Sequence, residues 1–268
     1  MIEALNFSFM QNALLASLFV SLICGVIGTL IVVNRMVFIA GGIAHGSYGG
    51  IGLALYFGIA PMLGASVFAL ILGIIIAIIT HKNSSRLDSL IGVLWAFGMA
   101  IGIVMSDLTP GYNVDLMSYL FGAILSVSAD DLYGMGAVLM LTIAFVVPFY
   151  KQLLAMSFDA QFAKLRGVNT TLLYFVLVGL IALGVVIIIR AVGLILVIAL
   201  LTIPPYIAEK LTNSMSAMMA VSTLLSLLFC IAGLMLSFAL NVSSGASIIL
   251  VATAVFFIQF LLLNRFKF

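Results

Sequence analysis

The chain has 268 residues, of which 65% are hydrophobic and only 7% are charged. A soluble domain carries roughly a quarter charged residues, so this composition excludes an ordinary globular protein and predicts a polytopic membrane protein. The connections between apolar runs are short, and we therefore expect a single transmembrane domain over residues 1 to 268. Cys24 and Cys230 each lie inside an apolar run and are interpreted as small buried side chains.

Nine apolar runs of spanning or near-spanning length follow one another along the chain. They cover residues 13 to 33, 38 to 58, 61 to 80, 90 to 106, 132 to 150, 171 to 189, 192 to 208, 215 to 238 and 246 to 264. Hydrocarbon offers the backbone no hydrogen-bond partners, so each run is a predicted helix. A shorter run, LMSYLFGAILSV at 116 to 127, is predicted as a re-entrant or partial helix. The predicted fold is all-α, a membrane bundle of eight or nine transmembrane helices plus this partial helix.

The basic residues predict an orientation. If the nine runs cross in turn with the N-terminus outside, nine of the ten Lys and Arg residues lie on the cytoplasmic side, and Arg190 is the exception. The positive-inside rule therefore favours an outer N-terminus and a cytoplasmic C-terminus. Most acids fall on the outer side, either because those loops carry no basic residues or because they form a vestibule that concentrates cations. The outer acids are Glu3, Asp107, Asp115, Asp130 and Asp131.

The second run contains RMVFIAGGIAHGSYGG, with a lone histidine among small residues. Helical spacing puts these residues on two adjacent stripes: Gly42, Gly46 and Gly50 on one, Gly41, His45 and Gly49 on the other. Such a surface packs closely against a neighbouring helix or lines a narrow path. An intramembrane imidazole is either a hydrogen-bonded core histidine or a metal ligand or proton relay.

Asp107 ends the fourth run and is a second candidate cation contact, unless it is a plain helix-end carboxylate.

The connection between the fifth and sixth runs, KQLLAMSFDAQFAKLRGVNTT, has a pattern of its own. Ser or Asp caps a predicted short helix that ends at Gly167. One face carries Phe158, Phe162 and Leu165, and another carries Lys164 and Arg166. A short amphipathic helix of this kind lies on lipid or docks into a soluble partner.

The sequence contains no machinery for energy transduction. GIAHGS at 42 to 47 lacks both the spacing and the lysine of a phosphate-binding loop, and no catalytic arrangement is apparent. We therefore expect neither an enzyme nor an intrinsic cofactor. Uphill transport would need an ion gradient or a separate ATPase. The acids sit at the ends of runs rather than inside them, which favours the ATPase.

Several segments, taken in order, resemble the membrane permeases of ABC importers for zinc, manganese and iron. They are RMVFIAGGIAHGSYGGIGLAL, IGVLWAFGMAIGIVM, DLMSYLFGAILSVSADDL, SFDAQFAKLRGV and AVGLILVIALLTIPPYIAEKL, which together cover most of the chain. The resemblance implies a homodimer in the inner membrane lipid of a bacterium or archaeon, with the transport path between the copies. It also implies two kinds of partner: cytoplasmic ATP-binding subunits that consume the ATP, and an extracytoplasmic metal-binding protein. Nucleic acid is not an expected partner.

The resemblance also assigns residues. His45 falls on the metal-contacting histidine of the family, and Gly41 stands where the family has an aspartate. An imidazole without its carboxylate is a softer site, which favours zinc over manganese or iron, or leaves the ion to outer acids such as Asp107. SFDAQFAKLRGV resembles the cytoplasmic coupling helix that docks the ATPase, through Ser157, Phe158, Phe162, Ala163, Lys164 and Gly167.

Two rival functions stay open from the sequence. One is an ABC permease for a larger metal chelate or cofactor. The other is an ion-coupled secondary carrier.

Overall fold

The computed structural model describes residues 7–82, 87–110 and 120–265, and within them it contains helices and no strand. The helices are α1 (Ser8–Val33), α2 (Val37–Gly46), α3 (Tyr48–Phe57), α4 (Pro61–Lys82), α5 (Leu87–Asp107), α6 (Ala129–Val146), α7 (Tyr150–Phe158), α8 (Ala160–Leu165), α9 (Thr170–Val192), α10 (Leu194–Leu211), α11 (Met215–Leu240) and α12 (Ser244–Arg265).

Eight helical segments among the described residues are long and apolar enough to cross a membrane, with α2 and α3 counted together as Val37–Phe57. The seventh predicted run, residues 192 to 208, is not among these eight segments, and it forms α10, which carries Pro204 and Pro205. The prediction of an all-α membrane bundle with eight or nine spans is thereby confirmed. The predicted partial helix at 116 to 127 lies partly outside the described residues, and its described part contains one 3-10 turn, Ile124–Ser126. The predicted orientation and single domain stay predictions.

The helices α2 and α3 are separated by one residue, Ser47, so the second run is not a uniform helix. Ser47 is fully buried, and its hydroxyl donates to the Ala44 carbonyl oxygen at 2.6 Å. A side-chain hydroxyl that bonds a carbonyl of the preceding turn competes with the backbone ladder and bends a helix. The backbone of Ser47 stays in the right-handed helical region and its nitrogen still donates to the Ile43 carbonyl oxygen at 2.9 Å, so the interruption is confined to this residue.

The described helices fall into two compact units. The first unit contains Met1–Val32, Met117–Leu139 and Ile188–Phe268. Within it, α1 approaches two other helices at glycines: a Cβ on Gly25 would lie 2.7 Å from the backbone nitrogen of Thr223 in α11, and one on Gly28 would lie 2.7 Å from the Leu201 carbonyl oxygen in α10. These contacts bring helix backbones together at a distance that only glycine permits.

Arg190, the exception in the charge pattern, forms an ion pair in this unit. Its Nε lies 3.3 Å from both carboxylate oxygens of Asp131, and both side chains are partly buried. Asp131 also accepts from the Ser128 backbone nitrogen at 3.0 Å while its own nitrogen donates to the Ser128 hydroxyl, which is a reciprocal cap at the start of α6. The cation at the end of α9 is thus neutralised by a carboxylate that the cap holds in place.

The second unit contains Val33–Leu116 and Met140–Ile187. Here α3 crosses α4 at Gly50, and a Cβ on that residue would lie 2.6 Å from the Cβ of Phe68. The helix α4 is joined to α9 by a 2.7 Å hydrogen bond between the hydroxyls of Thr80 and Tyr174. This unit contains the predicted metal-contact, glycine-stripe and coupling-helix residues, which lie in or beside α2, α3, α5, α7 and α8.

Candidate functional site

His45 lies at the end of α2 and is half-buried. Its Nδ1 is buried, and in the described part of the chain that atom has no hydrogen-bond partner. The nearest serine hydroxyl along the chain, that of Ser47, is used by the Ala44 carbonyl oxygen. A buried nitrogen without a partner is uncommon in folded proteins and requires an explanation. A neutral imidazole in this position offers a lone pair to a ligand.

One aromatic ring from another helix packs against this imidazole. The ring centroids of His45 and Trp95 are 3.9 Å apart, with an angle of 71° between the ring planes. Trp95 belongs to α5, and its indole Nε1 donates to the Met99 sulfur one turn further along, at 3.1 Å. The indole therefore contacts the histidine while its only donor is bound within its own helix.

Glycines bring α5 close to α2 and α3. A Cβ on Gly98 would lie 2.5 Å from the Gly46 carbonyl oxygen, and one on Gly49 would lie 2.7 Å from the Gly98 carbonyl oxygen. On Gly42, an added Cβ would collide with the Ile91 side chain. All five glycines predicted beside His45 are buried, Gly41 and Gly50 among them. The contacts at Gly42, Gly46, Gly49 and Gly50 are those of close helix packing.

The structure does not bring Asp107 to His45. Asp107 is exposed at the last residue of α5, twelve residues beyond Trp95, which corresponds to about 18 Å of helix at 1.5 Å per residue. Across the described ranges, no three His, Cys, Asp or Glu side chains come together as a metal-binding group. One chain thus offers His45 as an isolated donor.

The segment with the pattern of a coupling helix is formed by two short helices, α7 and α8. The Asp159 side chain caps α8 by accepting from the backbone nitrogens of Gln161 and Phe162, each at 2.9 Å. The sequence left serine or aspartate as the capping residue of this helix, and the structure uses aspartate. Ser157 lies in α7, where its hydroxyl donates to the Leu153 carbonyl oxygen and accepts from the Asn34 amide at 3.0 Å.

Three apolar side chains of this segment are exposed. Phe158 is 79%, Phe162 50% and Leu165 88% exposed, whereas Ala163 is fully buried. Lys164 is exposed, and Gly167 ends the segment with a φ of +81°. The segment lies between two helices that are long and apolar enough to span a membrane, one ending at Val146 and the next beginning at Thr170. An exposed apolar surface outside the membrane needs lipid or a partner to cover it.

Sequence reasoning missed the part of the site that comes from α5. Trp95, Met99 and Gly98 lie in a segment that was noted for its family resemblance alone. A signal was present, since Gly98 and Gly102 are four residues apart and mark a face for close helix packing. That signal does not name the helix on the other side, so the contact between Trp95 and His45 required the structure.

Comparisons with known proteins agree with this architecture. Residues 6–263 match the model of the ABC 3 transport family. An uncharacterized membrane protein of Synechocystis sp. is 51% identical over 97% of this chain and 92% of that protein. The manganese transport system membrane protein MntC of Halalkalibacterium halodurans is 33% identical over 96% of this chain and 88% of that protein.

Among solved structures, the chain is similar to one in PsaBC from Streptococcus pneumoniae in complex with Fab, with a TM-score of 0.87. The two chains are 32% identical, and the match covers 97% of this chain and 94% of the other. The match extends over nearly the whole length in both sequence and fold, and the chain belongs to the ABC 3 transport family.

Proposed function

We propose that this chain is the membrane permease subunit of an ABC importer that carries a divalent transition-metal ion inward. The observation that carries the proposal is the unpartnered Nδ1 of His45, which lies inside a described span where no Asp, Glu, Lys or Arg is found. Such residues are costly in a membrane and mark transport paths. Relatives that are named for manganese transport support the substrate class.

The His45 site suits weak, transient binding of a metal ion in transit rather than tight, permanent binding. One imidazole donor holds a divalent ion weakly, and a transported ion must leave again. A homodimer with its path between the copies would supply two imidazoles. The absence of a carboxylate at Gly41 favours zinc, whereas the names of the relatives favour manganese, so the ion is best decided by competition.

The energy source in this proposal is a separate ATPase that docks on α7 and α8. The exposed Phe158, Phe162 and Leu165 form an apolar surface, and the Arg166 guanidinium lies 5.2 Å from the centre of the Phe162 ring. Aromatic anchors with a basic residue beside them are typical of protein interfaces. A lipid surface is the other occupant that such a helix accepts.

The proposal is tested by metal uptake into proteoliposomes. The permease is reconstituted with and without an ATPase and an extracytoplasmic metal-binding protein from the same organism, with radioactive zinc and manganese supplied together and separately. We expect uptake that requires ATP, and we expect His45→Ala to reduce it at least tenfold while the ATPase still co-purifies. Uptake by the permease alone under an imposed proton or sodium gradient would show a secondary carrier instead.

A further inference from the structure

We infer that Trp95 is a positioning residue for His45: the indole fixes the orientation of the imidazole that meets the ion. This inference rests on the proposed role of His45 in metal transport. A histidine that binds metal in a protein is normally oriented by a partner, most often a carboxylate or a carbonyl that accepts its other ring N–H. In this chain the residue one turn before His45 is a glycine, so α2 provides no carboxylate there.

The contact that replaces such a partner is the indole ring. At 3.9 Å between centroids and 71° between planes, the two rings are in edge-to-face contact. The centroids are closer than the roughly 4.5–7 Å of ordinary aromatic pairs, so the indole restricts the imidazole by direct steric contact. Rotation of the imidazole about its side-chain bonds would break this contact.

Trp95 is held in turn by its own helix. The hydrogen bond from its Nε1 to the Met99 sulfur, at 3.1 Å, joins residues four apart on one face of α5. The indole cannot turn away from His45 without losing this bond. Met99 therefore contributes to the position of the histidine without contacting the ion.

Backbone packing determines the register that brings Trp95 of α5 next to His45 of α2. Gly46 follows His45 directly, and its carbonyl oxygen would lie 2.5 Å from a Cβ on Gly98, three residues after Trp95. One turn beyond, a Cβ on Gly102 would lie 2.5 Å from the Tyr48 carbonyl oxygen. Two successive close approaches fix the register of α5 along α2 and α3, and the two rings face each other as a result.

The sequence contains a single tryptophan, so the fluorescence of the purified full-length chain reports on Trp95 alone. In lipid nanodiscs we expect His45→Ala to change the emission before any metal is added, because the ring contact is lost. We expect Co²⁺ to quench the native emission saturably, Zn²⁺ to compete with this quenching, and His45→Ala to abolish the saturable part. Unchanged emission in metal-free His45→Ala would overturn the inference.

Uptake kinetics test whether the contact matters for transport. Trp95→Ala should raise the KM for the metal by about 10- to 100-fold, the usual effect of removing a group that orients a metal ligand. Trp95→Phe keeps an aromatic ring and loses only the bond to Met99, so its KM should rise by less than about tenfold, and Met99→Leu should match it. Phe97→Ala, at an exposed ring of the same helix, is the control and should behave as wild type.

The outcomes distinguish the positioning role of Trp95 from the proposed metal contact of His45. If His45→Ala abolishes uptake while Trp95→Ala keeps the native KM, the positioning role is wrong and the proposed function stands. If His45→Ala itself transports normally, the proposed metal contact fails first. A Trp95→Phe variant as impaired as Trp95→Ala would contradict the role of the ring contact, and both variants are checked for native elution and for co-purification of the ATPase.

Discussion

At the scale of single residues, the proposed ion contact at His45 depends on which residue stands at position 41. Gly41 is buried in α2, one helical turn before His45 and on the same face. A carboxylate there would add a hard, charged oxygen ligand to the imidazole. In the proposed site, Gly41 would leave the imidazole nitrogen as the only side-chain ligand on that face, which would favour zinc over manganese.

Gly41→Asp is therefore expected to shift selectivity toward manganese. The added ligand should change the ratio of manganese to zinc uptake by about 10- to 100-fold, since a first ligand contributes at least as much as a group that orients one. Competition uptake with both ions measures the ratio. Gly41→Ala, which adds a side chain and no ligand, is the matched control, and an identical ratio in the two variants would contradict a path beside residue 41.

Sequence reasoning at this scale proposed His45 as a candidate, because an imidazole in an apolar run is conspicuous. It could not find Trp95, because a tryptophan in an apolar run is ordinary. The importance of Trp95 comes from the helix that it faces, and that pairing depends on contacts such as the one between Gly98 and Gly46. Contacts between helices are determined by the shape of two surfaces, and a single run of sequence describes one of them.

At the scale of elements, α8 shows how a short helix between two long apolar helices is stabilised. Six residues are too few for a stable isolated helix, so its ends must be fixed. Asp159 satisfies two backbone nitrogens at the start, and Gly167 adopts a left-handed conformation just past the end. Ala163 is buried beneath, and the apolar side chains face outward. The element is therefore defined by its caps.

Gly167→Val should uncouple ATP hydrolysis from transport. A β-branched residue in the left-handed region costs about 1–2 kcal/mol, and the end of α8 would shift to relieve it. We expect weaker co-purification of the ATPase and more ATP hydrolysed per ion transported. Gly167→Asn is the matched control because asparagine tolerates this conformation. Native coupling in the valine variant would count against docking at α8 and in favour of a lipid-facing helix.

The helices themselves followed from local hydropathy, because apolar runs in hydrocarbon have few other structures available. The points at which one helix ends and the next begins were harder to predict. The interruption at Ser47 and the separation of α7 from α8 at Asp159 both come from side chains that compete for backbone hydrogen bonds. Serine and aspartate are common, and only some of them act in this way. Local sequence therefore predicts where a helix runs better than where it bends.

At the scale of the whole molecule, the placement of charge constrains how transport is driven. The acids of the described spans lie in their first or last turns, at Asp88, Asp107, Asp130 and Asp131, and Asp131 is paired with Arg190. Carriers that couple to protons or sodium normally place carboxylates near the middle of the membrane. No Asp, Glu, Lys or Arg lies at that depth in the described spans, which favours the proposed ATPase as the energy source and agrees with membership of the ABC 3 transport family.

Whether two copies share one path is testable with mixed dimers, in which a wild-type chain and a His45→Ala chain carry different affinity tags and are purified through both. If the path lies between the copies, the mixed dimer keeps one of two imidazoles at a single site, so its KM for the metal should rise above the wild-type value. If each copy has its own path, half of the paths stay native, and the mixed dimer should show half the maximal rate with the KM unchanged. A dimer of two wild-type chains with the same tags controls for the purification. Because a single imidazole is a weak site, we expect the raised KM, and a halved rate at native KM would place the His45 path inside each chain.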